Sequence, residues 1–166
     1  QAPRTETQKK EIEVEQKNNR ASKDKMASEF GVGEGKLGRS KYFRIALWKQ
    51  QGGSKTTKAI CPFTGKTLDV DDPLSPQLEL AHLYPDTKGG LYMMDNLVLT
   101  TREVNKAMDN MTPVEAARAG IFGISCDEMI RRSEQFAWGE SKRKLFRFEP
   151  TAEESFPDFN NMTRIS

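Results

Sequence analysis

Apolar residues recur at helical spacing in some stretches of the chain and at strand spacing in others. In SKYFRIALWKQQ, Phe43, Ala46, Leu47 and Gln50 fall on one 3.6-period face, and Tyr42, Ile45 and Trp48 widen it. The spacing predicts a helix over 41–51, with Ser40 placed to cap it and Gly52-Gly53 to end it. KAICPFTGKTLDV reads as a short strand, a turn at PFTG and a second short strand. Beyond the acidic loop DDPLSPQ, LELAHLYP alternates, with Leu78, Leu80 and His82 on one face and Glu79 and Ala81 on the other. A loop, DTKGGLYMMD, turns the chain, and NLVLTTREVNKAMDNM begins extended and ends helical. Thr100 with Glu103 three residues on is a capping box, which predicts a helix over about 101–110. TPVEAARAG, CDEMIRRSEQFAW and ESKRKLFRF are three further helix candidates, the first opened by Pro113 and stopped by Gly120. There are no internal repeats.

The ends of the chain have a different pattern. Residues 4–29 are rich in good helix formers but contain few apolar residues, so the helix they predict has no stripe to face a core. GVGEGKLG, with four glycines in eight residues, marks a boundary after it. Together with the abrupt end at NNMTRIS, this predicts a piece of a longer protein whose flanks 1–30 and 150–166 pack on neighbours or stay mobile.

Composition narrows the function classes. The chain has 166 residues, 30% of them charged, and a mean hydropathy of −0.72. No run approaches 18 apolar residues, so no membrane span is expected, and the opening QAPRTETQKK has no apolar segment of signal-peptide type. Two cysteines, Cys61 and Cys126, cannot build a disulfide framework and suit a reducing compartment. Net charge is only +2, but residues 1–50 carry 12 Lys/Arg against 7 Asp/Glu while the remainder is slightly acidic. A basic leading segment suits contact with a polyanion.

His82 is the only histidine. It closes a strand, precedes a Gly-rich loop, and is followed by a helix carrying Arg102, Asn105 and Asp109 on one face. Val104, Ala107 and Met111 define another face, with Met108 between, and would pack on the hairpin. The geometry brings a base, an amide oxygen, carboxylates and basic side chains to one place. That combination suits metal-assisted phosphodiester hydrolysis.

At these residues the chain resembles a known family. RIALWKQQGG, ICPFTGKTL, LELAHLYPDTKGG, DNLVLTTREVNKAMDN and MTPVEAA resemble the HNH nuclease domain, specifically that of the type II CRISPR RNA-guided DNA endonucleases. The resemblance covers about residues 41–117, and more loosely both flanks. It implies an α+β fold with a ββα-metal core, a small antiparallel hairpin plus helix, surrounded by additional helices. It also implies a division into 1–39, a charged segment from a preceding nuclease lobe; 40–138, the HNH domain; and 139–166, an exit linker toward a RuvC-type segment. The activity implied is hydrolysis of the DNA strand paired to a guide RNA, in the cytoplasm of a prokaryote. The implied partners are that target strand, the guide RNA through the parent protein and, as a further candidate, an inhibitor protein.

Residue by residue, the resemblance makes His82 the general base and Asn105 a ligand to one Mg²⁺, with Mn²⁺ as a substitute. Asn96 matches the asparagine opening the NLVL segment, a structural position holding the loop above the hairpin. Lys88, Arg102 and Lys106 are the candidate phosphate contacts. Two departures matter. The residue before the base is usually a metal-binding aspartate, whereas here it is Ala81, so the resemblance implies an impaired metal site. Glu79 is the substitute candidate, but it stands two residues away, about 6–7 Å along a strand. Asp86 and Asp109 are further carboxylates nearby. Where some relatives carry paired Cys-x-x-Cys motifs, this chain has only Cys61-Pro-Phe-Thr64, so no structural zinc is expected. Two alternatives remain open: a homing or restriction-type HNH nuclease, and a catalytically dead HNH fold that binds nucleic acid or protein.

Overall fold

A computed structural model describes residues 5–33 and 35–159. Residues 1–4, Glu34 and 160–166, which include the ends of both flanks, lie outside the described residues. A long helix α1 (Glu6–Glu29) leads to α2 (Arg39–Gln50), and the chain then crosses an irregular stretch to β1 (Leu78–His82). Two 3-10 turns, Asp86–Lys88 and Met94–Asn96, lie in the connection to β2 (Leu97–Thr101). Four short helices follow: α3 (Arg102–Met108), α4 (Pro113–Arg118), α5 (Cys126–Ser133) and α6 (Glu140–Phe146). The architecture is α+β, a two-stranded antiparallel sheet among helices. None of the described helices is long and apolar enough to cross a membrane.

The strands pair with Leu80 opposite Leu99, Ala81 opposite Val98 and His82 opposite Leu97. Leu78, Leu97, Val98 and Leu99 are buried in one core with Trp48, Phe63, Leu68, Met129, Leu145 and Phe146. Phe63 stacks between Phe122 and Phe146 at centroid distances of 5.1 and 6.0 Å, which ties the irregular stretch to the later helices. Two isolated strands of five residues are not stable by themselves. The far edge of β2 is completed instead by the side chain of Gln51, immediately after α2. Its Oε1 accepts from Leu99 N at 2.8 Å, and its Nε2 donates to Leu99 O at 2.8 Å and Ile60 O at 3.0 Å.

Several sequence expectations change in the structure. The strand–turn–strand expected in KAICPFTGKTLDV is reduced to one bridge, Ile60 to Thr67, and the sheet is the β1–β2 pair alone among the described residues. The cap of α3 is Thr101, whose side chain accepts from Val104 N, and not Thr100. Thr100 belongs to the strand, fully buried, with its hydroxyl 3.3 Å from Cys61 Sγ. Helix α2 starts at Arg39, with Gly38 in place of Ser40 at the cap. Ala107 is exposed, and Met108 is the residue with which α3 enters the core.

The flanks also differ. Helix α1 is exposed over most of its length and touches the body near its end, where Ala27 is buried, Lys49 pairs with Glu29 at 2.9 Å, and Lys23 lies over the Tyr42 ring. Residues after 150 do carry a core-facing pattern. Phe156 and Phe159 pack edge-on against Tyr84, and the Tyr84 hydroxyl donates to Ser155 O at 2.7 Å. Two phenylalanines three residues apart in a polar tail are too sparse to register as periodicity.

Lys142 of α6 is buried among Trp138 and Gln50, donating to Gln50 Oε1 at 3.0 Å. Burial pushes its pKa down to about 7, with Asp95 acting in the opposite direction. In the unfolded chain that lysine binds its proton up to its ordinary value near 10.5, so between these limits the unfolded state holds more protons and stability rises with pH. Lys142→Met is expected to raise the denaturation midpoint at pH 7 and to flatten the rise in stability between pH 7 and about 10. Denaturant titrations at both pH values check this, and an unchanged pH slope would refute it. Gln51→Leu leaves three buried backbone groups unpaired, and calorimetry is expected to show a loss of several kcal/mol, each group costing about 1–3 kcal/mol.

Candidate active site

The end of β1, the following loop and α3 form the site. His82 is the last residue of β1, and the chain after it is held by Asn96. The Asn96 side chain accepts from Tyr84 N at 2.8 Å and donates to Tyr84 O at 3.1 Å and Leu91 O at 2.9 Å. All of its polar atoms are thus used inside the protein, and the residue is fully buried. Gly90 belongs to the same closure, because a Cβ there would lie 1.9 Å from Tyr84 O. The His82 backbone is therefore fixed from both sides, by the ladder to Leu97 and by the closed loop.

Helix α3 supplies the opposite wall. His82 and Asn105 line one cleft of about 390 Å³ with Asp86, Lys106, Asp109 and Met108. Asp109 closes α3 with φ 51°, a backbone conformation unfavourable for a residue with a Cβ, at the rim of this cleft. Burial holds the His82 imidazole below its ordinary pKa, with Asp86 opposing the shift. A neutral imidazole at pH 7 is competent to accept a proton.

Glu79 is connected to the same wall. Its carboxylate accepts from Asn105 Nδ2 at 2.8 Å and pairs with Arg102 Nε at 3.1 Å. Neither Ala81, which is 1% exposed and part of the apolar core, nor Glu79 lines this cleft itself. Lys106 lines the cleft, Arg102 is exposed but engaged by Glu79, and Lys88 sits on the outer loop, away from the cleft lining. Among the described residues no three His, Cys, Asp or Glu side chains gather as a ready metal cage. Cys61 is buried and free, and Cys126 is half-buried and free.

One neighbour of the base was not legible in the sequence. Tyr92 lies with its ring centroid 6.3 Å from that of His82, brought there by the folded loop. Its position after Gly-Gly-Leu carries no periodic signal.

Comparison with known proteins agrees with this geometry. Residues 61–114 match the family model described as HNH endonuclease. The fold is of the HNH type. The chain is similar to Streptococcus thermophilus Cas9 in complex with the AGAA PAM, with a TM-score of 0.62 and 22% identity over 95% of this chain and 16% of that one. It is similar also to the type II-C Cas9 enzyme from Actinomyces naeslundii, with a TM-score of 0.64 and 19% identity over 84% of this chain and 14% of that one. The HNH-type chain therefore spans about a sixth of the Cas9 chains whose fold it shares. No curated protein matches it in sequence.

With a single histidine, proton NMR reads His82 without assignment work. Its titration midpoint in the free chain is expected below the ordinary imidazole value of about 6.5. The unfolded chain then binds the extra proton first, so His82 subtracts stability as pH falls below about 6.5 and subtracts none above it. A midpoint above that value would show an ion pair in place of burial.

Proposed function

We propose that the chain is the catalytic HNH domain of a metal-dependent DNA endonuclease that hydrolyses the strand paired to a guide RNA. The observation that carries this reading is the shared cleft of His82 and Asn105 at the junction of β1 and α3. Within it, His82 accepts the proton of the attacking water. Its ring has no hydrogen bond to a protein acceptor among the bonds described, and Asp86 stands near enough to favour the imidazolium that forms. Lys106 lies in the cleft wall, where its ammonium can meet a phosphate oxygen.

The oxygen donors beside Asn105 suit Mg²⁺, a hard ion that is satisfied by one or two carboxylates with waters and phosphate oxygens. Glu79 and Asn105, whose side chains already touch, are the pair that would hold it. Bound there, the ion would supply positive charge to offset the negative charge developing on the phosphate oxygens. Ala81 offers no oxygen, and its burial means that an aspartate at this position would compete with the core for space. On this reading Glu79, whose carboxylate accepts from Asn105, takes the ligand role that Ala81 cannot fill. The Arg102–Glu79 ion pair favours a second reading, a catalytically silent HNH fold that binds nucleic acid, because a carboxylate held by a guanidinium is a weaker ligand.

The alternatives separate in one set of variants, assayed for strand cleavage and for Mn²⁺ binding. His82→Ala is expected to abolish cleavage and leave Mn²⁺ affinity unchanged. Glu79→Ala is expected to reduce both cleavage and metal affinity by at least about 10–100-fold. If Ala81→Asp instead raises rate and metal affinity together while Glu79→Ala changes neither, position 81 is the ligand site and this chain is impaired. Nucleic-acid binding without metal-dependent cleavage by any of them establishes the silent fold.

A further inference from the structure

Helix α3 opens with a cation. The first turn of a helix favours negative charge, so Arg102 stands where its own helix does not favour it. Its counter-charge comes from the neighbouring strand, where Glu79 Oε1 accepts from Arg102 Nε at 3.1 Å. The other oxygen, Oε2, accepts from Asn105 Nδ2 at 2.8 Å. Both oxygens of the carboxylate are therefore engaged by N–H donors of α3. A divalent cation would need the same lone pairs, and the guanidinium beside them would repel it. Asn105 also turns its amide nitrogen, not its oxygen, toward the carboxylate. The Glu79–Asn105 pair is thus satisfied by its own neighbours.

Three observations make Arg102 the exchangeable partner. The side chains of Arg102 and Glu79 are 65% and 39% exposed, and an ion pair this open to water holds weakly. Arg44 shares a cleft with Glu79, but its guanidinium donates to the carbonyls of Ser75 and Leu78 and stays in place. Lys106 lies four residues beyond Arg102, about 6 Å along the helix axis, and lines the cleft that holds His82. A phosphodiester strand with one phosphate at Lys106 brings a neighbouring phosphate within reach of Arg102. The planar guanidinium can bind a phosphate through two parallel N–H groups, whereas Glu79 engages only Nε.

We infer that Arg102 is an internal counter-ion that occupies Glu79 until the phosphate backbone of a nucleic acid draws it away, so that polyanion and divalent cation bind cooperatively. This rests on the reading of Glu79 as a metal ligand and adds its regulation. The exchange breaks no covalent bond: the guanidinium leaves a carboxylate for a phosphate, and the freed carboxylate is open to the ion. It needs only the backbone of the strand, so a paired strand serves and its sequence is not read. Without nucleic acid the chain holds the ion weakly, and the two ligands raise each other's affinity by one common factor. The ion pair that argues for a silent fold is then the resting state of an active one.

The test measures Mn²⁺ binding by electron paramagnetic resonance, and binding of a fluorescein-labelled DNA–RNA duplex by anisotropy. Every protein, the parent included, carries His82→Ala so that nothing is cut. Arg102→Gln removes the charge and keeps the bond from the backbone N–H of residue 102 to Gln77 O. Without duplex, Arg102→Gln is expected to bind Mn²⁺ at least about 5-fold tighter than the parent, the lower end of coupling between sites. At matched ionic strength, Mn²⁺ should tighten duplex binding by the parent, and the gain should shrink by that same factor in Arg102→Gln. Without metal, the salt dependence of duplex binding should fall by about one phosphate contact in the variant. An unchanged salt dependence overturns the exchange with phosphate. Arg102→Gln that binds Mn²⁺ no tighter than the parent, or keeps the full gain, overturns the inference. If Glu79→Ala still weakens Mn²⁺ binding in that case, the metal-ligand reading stands. Should neither substitution change Mn²⁺ affinity, that reading and the inference fall together. Weaker Mn²⁺ binding by Arg102→Gln would make Arg102 a support for Glu79 and likewise overturn the inference.

Discussion

A two-stranded sheet has as much edge as interior, and every unpaired backbone group on a buried edge costs free energy. This constraint shapes the molecule. Two buried amide side chains satisfy it: Gln51 bonds both backbone groups of Leu99 on the far side of β2, and Asn96 bonds both backbone groups of Tyr84 just past β1. Each acts as one residue of a missing strand. The sheet can then remain five residues long and still present a fixed strand end at His82.

The same economy explains where the charge sits. The core around the sheet is apolar, so the ionisable groups that penetrate it change their behaviour. His82 loses affinity for its proton and becomes a better acceptor at neutral pH than a charged imidazolium would be. Lys142 is driven in the same direction by deeper burial, where its contacts are to α2 and the aromatic ring of Trp138. Glu79 keeps partial exposure and meets Arg102 and Asn105 at the surface of α3. Desolvation thus acts alike on His82 and Lys142, disfavouring the charged form of each.

Tyr84 links the site to residues 148–159. Its backbone is held by Asn96 and its ring by Phe148, Phe156 and Phe159. The loop that follows the base is consequently packed on the segment that leads away from the core, and Gly89 lies against Phe156. On the opposite side Arg39 and Phe43 brace Tyr92 from α2. The cleft is framed by parts of the chain more than 100 residues apart, all converging on the connection between β1 and β2.

The sequence by itself determined the order of the elements around His82. The alternation in LELAH, the polar turn, the apolar NLVL run and the Thr-initiated helix are local patterns, and so the ββα order and the pairing of His82 with Asn105 were legible. The capping signal at Thr100 points one residue early, because Thr100 and Thr101 carry the same hydroxyl, and only the burial of Thr100 against Cys61 leaves Thr101 to cap α3. What the tertiary structure alone decided are the contacts that local pattern does not encode. Glu79 stands two residues from position 81, and its contact with Asn105 exists only because α3 packs against β1. Gln51 reads as an ordinary polar residue at a helix end until β2 is placed beside it, and Tyr92 reads as a loop aromatic until α2 braces it against the base. Periodicity records which face of an element is buried, whereas hydrogen bonds and ring contacts between distant segments depend on how those faces meet.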